Sequence, residues 1–225
     1  NQTVAFDVES GKKLWAQSAV SEVAGLLGSA SPALIGNTVI VPYSSGELVA
    51  LRVNNGRLVW SDSLAFVRKT DTLSTVAQIR GPPVVDRGLV YAVSYSGRLV
   101  AIDLRTGARI WDRPIGGSET PWVAGDFVYV LSNDGDLYCL TRLGGRVRWI
   151  RPLPRYEDPD DKDGPLKWYG PVLASDRLIV VGNEGEVLSV SPYTGNFLSK
   201  LELADNFSVP PIIAMGSLYF LTDDA

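Results

Sequence analysis

The chain has 225 residues, 45% of them apolar and 20% charged, with a formal net charge of −4 and a pI near 4.9. That acidic balance argues against a nucleic-acid surface, which needs a basic face, and no apolar run is long enough to make a transmembrane helix. Histidine is absent and there is one cysteine, Cys139. His-based acid–base catalysis, Ser-His-Asp triads, ordinary zinc or iron sites and an intramolecular disulfide are therefore excluded from this chain.

A short phrase returns along the chain: small residue, any residue, Asp or a substitute, then Gly four residues later and Trp four after that. The copies are Ala5-Phe6-Asp7 with Gly11 and Trp15, Ala50-Leu51-Arg52 with Gly56 and Trp60, Ala101-Ile102-Asp103 with Gly107 and Trp111, and Cys139-Leu140-Thr141 with Gly145 and Trp149. A degenerate fifth copy, Ser189-Val190-Ser191 with Gly195, has Ser199 in place of Trp. The tryptophans fall 45, 51 and 38 residues apart, the drifting period of a blade-type repeat with variable loops.

Between copies the pattern is one of short strands. In the stretch from Gly81 to Ile115, Pro82-Pro83-Val84-Val85 opens a first strand, Asp86-Arg87-Gly88 turns, and Leu89 to Ser94 forms a second strand. Ser96-Gly97 makes a tight turn, Arg98 to Leu104 a third strand, Arg105-Thr106-Gly107 a turn, and Ala108 to Trp111 the fourth. The layout repeats in Pro32 to Leu64, Pro121 to Ile150 and Pro171 to Leu201. Repeated four-stranded antiparallel sheets without intervening helices predict an all-β fold, a β-propeller. In that fold Trp15, Trp60, Trp111 and Trp149 dock blade on blade. Asp7 and Asp103 precede turn glycines, where a side-chain hydrogen bond to the backbone accounts for them, and Cys139 reads as a buried core thiol.

By strand count the chain is expected to be one propeller fragment over residues 1–225, with four whole blades and two half blades. It starts in the third strand of one blade and stops after the second strand of another. The acidic segment Arg155 to Pro165 reads as a solvated surface loop. It fails the EF-hand template in both registers, because Lys162 or Gly170 falls where a calcium ligand is required.

The phrase Ala-x-Asp-x-x-x-Gly-x-x-x-Trp resembles the tryptophan-docking repeat of the quinoprotein (PQQ-type) propeller superfamily. Within it, Pro83 to Ala92, Tyr95 to Gly107 and Leu26 to Pro32 resemble the central blades of the BamB family of outer-membrane assembly lipoproteins. The resemblance implies an eight-bladed ring, of which this chain supplies about five blades' worth as an open arc able to self-associate. It further implies a periplasmic location at the outer membrane, through a lipid anchor outside this chain, and no cofactor, metal or catalytic residue. The rival branch, PQQ-dependent dehydrogenases, requires a vicinal Cys-Cys disulfide beside the quinone together with a calcium site.

The same resemblance implies a partner surface. In the BamB family the loops joining the fourth strand of one blade to the first of the next dock on the POTRA domains of BamA. The matching positions here are Leu26, Leu27 and Gly28 in one loop and Gln78, Ile79 and Arg80 in the next. Arg68, Lys69, Arg80 and Arg87 are expected to form a positive rim. Unfolded outer-membrane protein strands, added to a blade edge, are a second expected partner.

Overall fold

The structure is a computed structural model that describes residues 2–18, 30–65 and 77–224; Leu26, Leu27, Gly28, Arg68 and Lys69 lie outside those residues. Among the described residues there is no helix, and the strands gather into four four-stranded antiparallel sheets with additional two-stranded ones. The chain divides into two compact units, Asn1–Pro121 and Trp122–Ala225.

The first unit opens with a hairpin of β1 (Gln2–Phe6) and β2 (Lys13–Ser18). A four-stranded sheet follows, of β3 (Ala33–Ile35), β4 (Thr38–Pro42), β5 (Glu47–Arg52) and β6 (Leu58–Ser63). The next contains β7 (Val84–Asp86), β8 (Leu89–Ser94), β9 (Arg98–Asp103) and β10 (Arg109–Arg113). Each is a meander in sequence order, as the turn spacing predicts.

The apolar pattern explains which strands are central. β8, Leu-Val-Tyr-Ala-Val-Ser, is buried at every position, and the four inner residues of β9 are buried as well. A strand covered on both faces has no reason to alternate, so it reads as a continuous apolar run. The outer strand β10 keeps only Trp111 fully buried, which is the period-two pattern of a strand with one wet face. Ile40, Leu48, Ala50, Trp60, Leu64, Ile79, Val90, Ala92, Val100 and Ile102 form one core joining the two sheets.

The second unit contains β11 (Trp122–Ala124), β12 (Phe127–Leu131), β13 (Asp136–Thr141) and β14 (Val147–Pro152) in one sheet. Another holds β17 (Trp168–Ala174), β18 (Arg177–Gly182), β19 (Glu186–Val190) and β20 (Phe197–Glu202). A last hairpin pairs β21 (Ile212–Ala214) with β22 (Ser217–Tyr219). Tyr129, Leu131, Leu137, Cys139, Leu153, Trp168, Leu178, Val180, Leu188 and Val190 form the core between the two sheets.

The segment expected as a plain surface loop is instead a third hairpin, β15 (Tyr156–Asp158) with β16 (Asp163–Pro165). Asp158 closes it by accepting the backbone N–H groups of Asp160 and Asp161 at 2.9 and 3.2 Å. An aspartate that turns the chain in this way supports a strand pair whose own residues carry no apolar alternation.

Candidate partner-binding surface

The surface is built on a lock that repeats from blade to blade. Trp15 Nε1 donates to the Val53 carbonyl at 2.7 Å, Trp60 Nε1 to Leu104 at 2.8 Å, and Trp149 Nε1 to Pro192 at 3.1 Å. Each acceptor lies in the next blade's phrase, one residue after the Asp position. The rings close over the phrase glycines. A Cβ on Gly56 would stand 2.8 Å from the Trp15 ring, one on Gly107 2.6 Å from Trp60, and one on Gly195 2.7 Å from Trp149. These glycines also hold φ of 68, 75 and 71°. The residue is thus required twice, for the left-handed turn and for the space the ring occupies. Trp111, the remaining member, is buried and tilts against Tyr91 with ring centroids 6.0 Å apart.

Asp7 and Asp103 act as the turn reading expects. Asp103 Oδ1 accepts the Thr106 hydroxyl at 2.7 Å and the Thr106 and Arg105 N–H groups at 2.8 and 3.1 Å. The Thr106 hydroxyl, then its N–H, hold this carboxyl below the usual aspartate range. Ser10 does the same for Asp7.

Of the two expected docking loops, the structure describes the second. Gln78 and Ile79 are each 1% exposed. The Gln78 carbonyl accepts the Tyr95 N–H at 2.9 Å, and the Ile79 side chain belongs to the core that also holds Trp60, Leu64 and Val90. The Ile79 side chain folds inward beneath its loop, because the gap between two adjacent sheets offers it a drier place than the surface. Ala77 and Gly81 are held tightly on either side. A Cβ on Gly46 would meet the Ala77 carbonyl at 2.6 Å, and one on Gly81 would strike the Glu119 backbone. Arg80 alone of the three is exposed. Of the expected positive rim, Arg80 and Arg87 are described. Arg87 lies at the other end of β7, in the turn to β8, beside Asp86 at 3.9 Å.

The quinone-binding chemistry of the rival branch does not fit the residues present. Cys139 is buried on β13 as a free thiol. Burial pushes it up to about 12, and a vicinal disulfide cannot be built from it. Among the described residues no three His, Cys, Asp or Glu side chains are grouped as a metal site, including those of the β15–β16 hairpin.

Four-stranded meanders locked edge to edge by tryptophan and glycine define a β-propeller of the quinoprotein type. The family described as outer membrane protein assembly factor BamB matches residues 1–151, about two thirds of the chain, and this chain belongs to that family. It is 27% identical over 200 residues to outer membrane protein assembly factor BamB of Alkalilimnicola ehrlichii, covering 88% of this chain and 50% of that protein. The crystal structure of BamB from Moraxella catarrhalis superposes with a TM-score of 0.85 at 23% identity, over 99% of this chain and 64% of that one. Quinohemoprotein alcohol dehydrogenase from Comamonas testosteroni shares the fold at a TM-score of 0.63 and 16% identity, over 92% of this chain and 40% of its own. The chain spans about half the length of the curated relative it matches.

Proposed function

We propose that this chain is the blade-bearing part of a non-catalytic scaffold for outer-membrane protein assembly, acting at the periplasmic face of the outer membrane. In this reading it docks on the POTRA domains of BamA through the loops that join the fourth strand of one blade to the first of the next. Membership of the BamB family over residues 1–151 carries the proposal. The geometry supports it locally. Buried Gln78 and Ile79 fasten the described end of the second loop to the core and leave Arg80 exposed, a cation suited to an acidic partner face. Leu26, Leu27 and Gly28 are proposed as the matching positions of the first loop.

Calorimetry with POTRA domains tests the docking. Arg80→Glu with Leu26→Asp is expected to weaken binding more than tenfold, ~1.4 kcal/mol, with an unchanged circular dichroism spectrum. Undiminished affinity would move the interface elsewhere. The non-catalytic part is tested by reconstitution with PQQ and Ca²⁺ in a dye-linked dehydrogenase assay, where saturable turnover above a no-protein control would overturn it.

A further inference from the structure

One copy of the repeat departs from the others in a way its turn does not need. In four copies the third position of the phrase carries an oxygen that accepts a turn N–H. Asp7 accepts from Ser10, Asp103 from Thr106, Thr141 from Arg146 at 3.0 Å and Ser191 from Thr194 at 3.3 Å. The second copy has Arg52, and a guanidinium has donors only.

Its turn keeps the backbone closure that every copy makes. Arg52 N–H donates to the Arg57 carbonyl at 2.9 Å and Gly56 N–H to the Arg52 carbonyl at 2.8 Å. Asn55 Oδ1 receives the Arg57 N–H at 3.0 Å, the bond that the Ser10, Thr106 and Thr194 hydroxyls make at the same place in their copies. The Arg52 side chain is thus released from any part in the turn.

It lines a surface cleft of about 370 Å³ together with Arg57, Asn37, Asn54 and Asn55. No carboxylate lines the cleft, and among the described residues neither arginine forms an ion pair. Two arginines lining one concave place, with no carboxylate beside them, leave their donors to an anion from solution. Their planar forks suit carboxylate or phosphate oxygens. One fork already occupies both oxygens of a carboxylate, whereas a phosphate group has oxygens for two forks and for asparagine amides as well. The volume falls in the range of small-ligand pockets, roughly 300–1,000 Å³, so the phosphate has room to carry a further small group.

We infer that this cleft binds a phosphate group, carried either by a small soluble phosphoester or by a phospholipid headgroup. The test is calorimetric titration of the 225-residue chain with inorganic phosphate and with glycerol 3-phosphate at fixed ionic strength. Co-sedimentation with phosphatidylglycerol vesicles, against phosphatidylcholine vesicles, accompanies it. Arg52→Asp installs the residue that caps the turns at Asp7 and Asp103 and so keeps the fold. It and Arg57→Gln are each expected to weaken binding at least tenfold with unchanged melting, while Arg146→Gln, at the Arg57 position of the fourth copy, leaves it intact. Binding of the soluble phosphates alone assigns a small phosphoester, and Arg52-dependent binding to the anionic vesicles assigns a lipid headgroup. The absence of saturable binding to both, or equal binding by Arg52→Asp, Arg57→Gln and the unaltered chain, would overturn the inference.

Discussion

A β-carbon added at Gly107 would stand 2.6 Å from Trp60, on a backbone whose φ of 75° already disfavours any side chain. Gly107→Ala therefore combines left-handed strain with overpacking and is expected to cost at least ~2 kcal/mol by chemical denaturation. Gly11 occupies the same place in its phrase at φ 66°, with nothing within 4 Å of the added carbon. Gly11→Ala is expected to cost distinctly less, because strain alone is left. Equal losses at both positions would mean that ring contact contributes nothing to the lock.

Two titrating residues give opposite pH behaviour. The Asp103 carboxyl is held below its ordinary value near 3.8, so its stabilising effect is present above that pH and is lost as pH falls through the lowered value. The stability gap between the native chain and Asp103→Asn is expected to narrow below about pH 4 in acid denaturation curves. The Cys139 thiol is raised by burial to about 12. Its neutral form is the one the fold accommodates, so stability is kept below the unfolded thiol value and declines as pH climbs toward the folded one. At pH 8 a thiol reagent is expected to label Cys139 only at the rate of unfolding.

At the scale of elements, adjacent outer strands are tied by Arg109 at the start of β10. Its Nε and Nη2 donate to Asp62 of β6 at 2.6 and 2.7 Å. The Asp62 bond is the chief reason the guanidinium is raised. Both groups are partly solvated, so a double-mutant cycle on Asp62→Ala and Arg109→Ala is expected to give a coupling of only ~0.5–1 kcal/mol, falling with added salt.

The meanders were legible because their turns and apolar runs are strong. β8 and β9 follow the run from Leu89 and the turn at Ser96-Gly97. The β15–β16 hairpin was not legible, since three-residue strands of Tyr, Glu, Asp, Gly and Pro carry no periodicity and Asp158 makes the turn. Ile79 was open on sequence alone: an isoleucine in a loop can face solvent or fold inward, and the space between sheets claims the side chain. Trp168, which donates to Pro154 at 2.7 Å and is buried, lies out of phase with the repeat and gave no signal. Arg52 did give one, a cation where the phrase has oxygen.

At the scale of the molecule, the described C-terminal strands carry several exposed apolar side chains. Ile212, Ile213, Met215 and Tyr219 of the β21–β22 hairpin are exposed, as are Phe197, Leu198 and Leu201 on β20. Such groups drive association when they adjoin. Light scattering is expected to show mass above 24.3 kDa that rises with concentration and falls on Ile212→Lys with Met215→Lys. A constant 24.3 kDa species at every concentration would count against this.

The tryptophan-to-glycine lock also determines how such a chain can be lengthened. Each ring is encoded in one blade and received in the next, so no blade is self-sufficient and the heritable unit is a period rather than a sheet. Copying residues 16–60 in tandem after Trp60 supplies one new receiving glycine and one new ring together, wherever in the blade the duplication begins. Any duplication of a whole number of periods preserves that pairing, so an added blade arrives with its own lock, and closure then turns on the angle that each interface tolerates.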